Sequence, residues 1–189
     1  INRLVTDAIC DVFWTPSPDA DEHLAREGVP AERIDRVGNI MLDSFEMMRG
    51  QIEADGTRAA MGLTAGHYAV VTLHRPSNVD TRDALEPLVN QLLAVSRDLP
   101  LVFAVHPRTR KKLEEFGLMS VLLQGATTAA AGRPITLTEP LGYIQFMNLV
   151  RSARAVITDS GGVQEASTYL GIACLTLRET TERAITVSE

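Results

Sequence analysis

Ala155-Val156-Ile157-Thr158-Asp159-Ser160-Gly161-Gly162-Val163-Gln164-Glu165 is the stretch on which the reading of this chain turns. Its first four residues form a short apolar strand, Ser160-Gly161-Gly162 a tight turn, and the residues beyond open a helix that Gly171 closes. A strand that runs through glycines into a helix leaves backbone N–H groups without intrahelical partners at the positive end of the helix dipole. Such a turn seats an anion, and glycine lets the anion approach the backbone with no Cβ in the way. A nucleotide diphosphate is the expected occupant. A sharp strand-to-helix turn without a ligand fits the spacing equally well, because Gly-Gly is far less specific than a full phosphate-binding loop.

Outward from this stretch the same alternation recurs. Residues 69–73 read as a continuous apolar strand followed by the polar loop His74-Arg75-Pro76-Ser77-Asn78. A helix over 83–96 presents Leu85, Leu88, Val89 and Leu92 on one face, and Pro87 is tolerable only near its first turn. A strand over 101–105 ends at His106-Pro107-Arg108, and a helix over 108–116 is stopped by Gly117. Residues 124–133 are small and alanine-rich, a mobile loop or ragged helix end. A strand over 135–138 exits through Glu139-Pro140-Leu141-Gly142, Tyr143, Phe146, Met147 and Val150 mark a helix face, and a last strand covers 173–177. Apolar runs separated by single helices imply a parallel sheet covered on both faces, an α/β, Rossmann-like, doubly wound layer. Ligands collect at the carboxyl ends of such strands, and His74, His106, Glu139, Ser160 and Arg178 all fall just past strand ends.

The first quarter is less regular. A helix over 2–9, a strand over 11–14, a helix over 19–27 stopped by Gly28, a turn over 30–33 and a strand over 34–37 lead to a helix over 41–54. Met41, Phe45, Met48 and Ile52 share one face of that helix and read as core. Residues 1–66 are thus expected to be a connecting segment with a softer joint at 56–66, and 67–189 a nucleotide-binding domain. The chain opens without methionine in an apparent helix and stops where another begins, so it is expected to be a piece of a longer protein.

Bulk composition narrows the class. With 189 residues, 45% apolar and 22% charged, the chain suits one or two soluble globular domains. A net charge of −6 argues against nucleic acid or an anionic membrane as partner. No apolar run reaches bilayer length, and Ile1-Asn2-Arg3 opens no signal peptide. Cys10 and Cys174 read as buried thiols of a reducing cytoplasm, and the four histidines offer no metal pair, so neither metal nor cofactor is expected.

Among the candidates for chemistry, His74 and Arg75 would meet phosphate oxygens or protonate a leaving group, or simply lie in a solvated loop; their place on the rim favours function. Arg110, Lys111 and Lys112 read as a solvated helix face. Arg183 either reaches the same phosphates or forms an exposed ion pair with Glu182. There is no nucleophile elbow, no Ser/His/Asp order and no pair of carboxylates on one element.

Taken in order, Val71-Thr72-Leu73-His74-Arg75-Pro76-Ser77-Asn78, Val105-His106-Pro107-Arg108-Thr109, Glu139-Pro140-Leu141-Gly142-Tyr143, Thr158-Asp159-Ser160-Gly161-Gly162-Val163-Gln164-Glu165 and Cys174-Leu175-Thr176-Leu177-Arg178-Glu179-Thr180-Thr181-Glu182-Arg183 closely resemble UDP-N-acetylglucosamine 2-epimerases. Asn2-Arg3, Thr6-Asp7, Thr15-Pro16 and Val37-Gly38-Asn39 resemble that family's interdomain region.

The resemblance implies a GT-B-type architecture of two Rossmann-like domains with a cleft between them, of which this chain is the end of the first domain's connection plus most of the C-terminal, nucleotide-holding domain. It implies an isomerase that eliminates UDP to give a glycal and returns it with inverted configuration at C2. The acid/base carboxylates of the family lie in the N-terminal domain, so the chain alone is expected to be inactive. Position by position, Ser160, Gly161 and Gly162 would hold the diphosphate, with His74 catalytic against the phosphates and Arg183 reaching the same region. Phe146 and the backbone near Leu141 would border the uracil, Glu165 belongs to the substrate-binding set, and Arg75 and His106 match positions that bind a regulatory nucleotide sugar in one branch. UDP and UDP-N-acetylglucosamine are the implied partners, and the full-length protein is implied to be a homodimer, the lone piece a monomer. Two departures stand out: Ala166 replaces a glutamate that binds the ribose, a contact worth about 1.5–3 kcal/mol, and Ala184 replaces a proline. A binding domain without turnover and a hydrolysing relative releasing UDP and N-acetylmannosamine are the alternatives.

Overall fold

The computed structural model describes residues 2–127, 135–180 and 186. They cluster into two compact units, Ile1–Met47 and Met48–Glu189. The first holds α1 (Asn2–Ile9), β1 (Phe13–Thr15), α2 (Pro18–Arg26), β2 (Ile34–Arg36) and the start of α3 (Ile40–Ala54). β1 and β2 pair in parallel, Phe13 opposite Ile34. Pro18 opens α2, where a missing N–H is no loss, and Gly28 follows its end at φ +88°, a left-handed step that glycine takes without strain. On α2, Asp21 accepts from Thr15 Oγ1 and, at 2.7 Å, from Arg36 Nε, which ties the helix to both strands. These bonds, the Thr15 one foremost, hold the Asp21 carboxyl below its ordinary range. Along α3, Phe45 and Ile52 are buried, but Met41 and Met48 are 45% and 39% exposed. The four-residue core face expected there is therefore two residues: spacing marks a stripe, and tertiary packing decides how much of it is covered.

The second unit continues with α4 (Thr57–Ala60), β3 (Ala69–Thr72), α5 (Pro76–Val79), α6 (Arg82–Val95), β4 (Leu101–Ala104), α7 (Pro107–Glu115) and α8 (Leu118–Thr127). It is completed by β5 (Ile135–Thr138), α9 (Tyr143–Val150), β6 (Ala155–Thr158), α10 (Gly161–Tyr169) and β7 (Ala173–Thr176). Five strands form one sheet in the order β5-β4-β3-β6-β7, every pair parallel. The chain builds outward from β3 on one side and then returns to lay β6 on the other, the doubly wound order the apolar runs imply. Val70 and Val71, Val102 and Phe103, and Val156 on the inner strands are fully buried, which is why these strands run apolar instead of alternating. At the sheet's edge β7 does alternate, with Ala173 and Leu175 exposed.

Three local features depart from the expected elements. The loop after β3 contains a short helix, α5, opened by Pro76 at its first position. α6 begins at Arg82, capped by Thr81, and passes straight through Pro87. A proline inside a helix costs about 3 kcal/mol, and burial of Leu85, Val89 and Leu92, at about 1.5–3 kcal/mol each, outweighs it. α8 has no counterpart in the expected order; Leu118 and Leu122, one turn apart, are buried in the core beside Phe103 and Leu113. The remainder of 124–133 beyond its last turn lies outside the described residues.

Residues 48–66 are joined to α9 and its exit by the Glu53–Arg151 ion pair, by the Gly66 N–H on Ser152 O and, most deeply, by Asn148. Asn148 on α9, 4% exposed, donates to Ile52 O and Asp55 O at 2.9 Å each and accepts from Arg58 N at 3.1 Å. It thereby satisfies carbonyls at the end of α3 and an N–H at the start of α4, groups that helices leave unpaired. No helix among the described residues is long and apolar enough to cross a membrane.

Candidate functional site

The carboxyl ends of β3, β4, β5 and β6 share one rim of the sheet, and a cleft of about 290 Å³ opens there. Its wall comprises Thr72 at the end of β3 with Leu73 and His74 beyond it, Ala104 at the end of β4 with His106 beyond it, Pro140 and Leu141 after β5, and Ser160 and Val163 at the start of α10. The cleft adjoins the β3–β6 boundary, where the order of the strands reverses and connections diverge to opposite faces.

Ser160 caps α10 from extended backbone: its N–H donates to Thr158 Oγ1 at 3.0 Å, and its Oγ accepts from Val163 N at a long 3.5 Å. Gly161 is buried and Gly162 half-buried, and neither has a positive φ. Glycine is therefore not required by the turn; what the pair contributes is bare backbone at the positive end of a nine-residue helix.

Asp159 organises the facing loop. It is fully buried, and its carboxyl accepts from His74 N at 3.0 and 3.1 Å, Arg75 N at 2.9 Å and Asn78 Nδ2 at 3.1 Å. His74 Nδ1 lies 2.7 Å from Asp159 Oδ1. Arg75 Nε donates to Asp159 O at 3.1 Å, and Asn78 Nδ2 also donates to Leu177 O at 2.9 Å, so the loop is joined to the exit of β7. Thr109, fully buried on α7, donates from Oγ1 to Leu73 O and anchors the same loop from below. Neither Asp159 nor Asn78 stands out in the sequence as a candidate. The available signal is an acid placed directly after an apolar strand and before a helix, where only protein donors can reach it.

His106 is the N-cap of α7, its Nδ1 accepting from Arg108 N at 3.2 Å, with its ring centroid 5.8 Å from that of His74. Arg108 forks onto Asp80, Nε to Oδ1 at 2.7 Å, and holds the Asp80 carboxyl below its ordinary range. The positive face expected to be merely solvated is partly paired: Arg110 reaches Glu139 at 2.7 Å and Lys112 reaches Glu115 at 2.9 Å.

The cleft thus brings together His74, His106, Leu141 and Ser160. Phe146 on α9 and Glu165 on α10 are half-buried and outside its described wall, and Arg75 turns to the Asp159 carbonyl. Arg183 lies outside the described residues. Chemically, the wall offers helix-end N–H groups and the imidazoles of His74 and His106 for an anion, and it contains no carboxyl group among its described residues.

A family model for UDP-N-acetylglucosamine 2-epimerase matches residues 1–189. A UDP-N-acetylglucosamine 2-epimerase of Methanocaldococcus jannaschii is 35% identical over 192 residues, covering 99% of this chain and 50% of its own length. One of Methanococcus maripaludis is 35% identical, with 98% and 50% covered. The crystal structure of the M. jannaschii enzyme in complex with UDP-GlcNAc and UDP superposes with a TM-score of 0.84 over 98% of this chain and 50% of that one. The chain spans about half the length of the curated relatives it matches.

Proposed function

Because the chain belongs to the UDP-N-acetylglucosamine 2-epimerase family, we propose that it is the nucleotide-holding half of an enzyme that interconverts UDP-N-acetylglucosamine and UDP-N-acetylmannosamine. The observation that carries this reading is the meeting of the open α10 terminus and the Asp159-held His74 at one cleft. The first-turn N–H groups at Gly161 and Gly162, with Ser160, take the diphosphate. His74 lies against the phosphates and, through a proton on Nε2, stabilises the charge that develops on UDP as its bond to C1 breaks. Arg183 adds a guanidinium to the same oxygens, and Leu141 with Phe146 borders the uracil. Loss of the C2 proton and of UDP gives a glycal, and UDP returns as the proton is restored on the opposite face of C2. The groups that move that proton belong to the half of the enzyme that this chain does not span.

Ala166, half-buried on α10, favours a second reading, a nucleotide-sugar binder without turnover. Incubating the full-length protein with UDP-N-acetylglucosamine and following products by NMR separates the possibilities. An equilibrium mixture of the two UDP-sugars is expected; no conversion would establish the binder, and free N-acetylmannosamine a hydrolase. The 189-residue chain by itself is expected to bind UDP weakly in calorimetry and to turn nothing over.

A further inference from the structure

The mouth of the cleft holds two histidines whose ring nitrogens have opposite partners. His106 Nδ1 accepts a backbone N–H, that of Arg108 at 3.2 Å, so its proton resides on Nε2. His74 Nδ1 instead faces Asp159 Oδ1 at 2.7 Å. A carboxylate only accepts, so the hydrogen in that contact is carried by His74 Nδ1. The carboxyl is fully buried, and among the described residues the other groups bonded to it are donors too: the N–H groups of His74 and Arg75 and the Asn78 amide.

We propose that Asp159 is the positioning residue for His74: its buried carboxylate keeps a proton on Nδ1, so that Nε2 alone faces exchange at the cleft. This inference rests on the reading of the cleft as a diphosphate site only for what Nε2 meets there. An imidazole free in water slightly favours the Nε2–H form, so the arrangement reverses an intrinsic preference. It also gives Nε2 a single task, because the proton it gains or loses is never shared with the other nitrogen. A purely structural Asp159 would hold the backbone N–H groups of the loop and leave the ring free to choose its tautomer.

The test is a long-range ¹H–¹⁵N correlation spectrum of the ¹⁵N-labelled 189-residue chain, with the four histidines assigned by single His→Gln variants. The neutral His74 ring is expected as Nδ1–H by about tenfold or more, the weight of one charge-assisted hydrogen bond. His106 is expected in the same spectrum as Nε2–H, an internal contrast. Asp159→Asn puts an amide donor or a weaker acceptor against Nδ1, and His74 is expected to switch to Nε2–H. A wild-type His74 that is Nε2–H or an even mixture overturns the proposal, and so does a folded Asp159→Asn chain with an unchanged tautomer. If Asp159→Asn does not fold, the wild-type spectrum alone decides. Added UDP is expected to move the His74 Nε2 resonance; a wild-type chain with the expected tautomer that binds no UDP counts against the nucleotide reading and leaves the Asp159–His74 pairing standing.

Discussion

Ser160 caps α10 only weakly. As a cap its Oγ sits 3.5 Å from Val163 N, at the outer limit of a hydrogen bond. Ser160→Ala is therefore expected to cost only about 0.5–1 kcal/mol of stability, a fall of about 1–4 °C in Tm by thermal denaturation. A loss above about 2 kcal/mol would mean that the hydroxyl supports more than the first turn of α10. Asp159, its neighbour, is the harder residue to read. Its side chain has no motif of its own, and its importance comes from donors 81 to 85 residues away in the chain.

Asn148 carries the matching argument for whole elements. It lies on α9, yet what it satisfies are the carbonyls of Ile52 and Asp55 and the N–H of Arg58. Asn148→Ala strands these groups in a place where the side chain itself is 4% exposed. The expected loss is about 2–4 kcal/mol, measured as a lower urea midpoint at unchanged m. A variant within about 0.5 kcal/mol of wild type would mean that water reaches those groups and that α3 and α4 do not depend on α9. The apolar faces of α6 and α9 are legible by period, whereas the passage of α6 through Pro87 is not, because local cost and distant burial are settled against each other only in the packed sheet.

For the molecule as a whole, alkaline pH is the informative stress. Tyr68 is fully buried, with its hydroxyl donating to Leu149 O, and burial pushes its phenol up to about 12. In the unfolded chain the same group titrates near 10, so between about pH 10 and about 12 the native state holds the extra proton. Stability is therefore intact below about pH 10 and falls as pH rises through that window. Tyr68→Phe is expected to be less stable at neutral pH, where Leu149 O loses its donor, and to show a shallower decline above pH 10 in urea titrations. Parallel declines in the two proteins would refute the assignment. Burial pushes Tyr143 in the same direction, which leaves a residual slope in the variant.

By itself the sequence determined the parallel doubly wound sheet, the rim on which its polar residues gather, and the Ser160-Gly161-Gly162 turn, because apolar runs, glycine stops and strand-to-helix turns are local signals. Tertiary structure alone decided that Asp159, not an exposed charge, holds His74. It also decided that Asn148 ties α3 and α4 to the sheet, and that Met41 and Met48 stay exposed. Burial and hydrogen-bond satisfaction depend on what lies across space, and no window along the chain contains both partners.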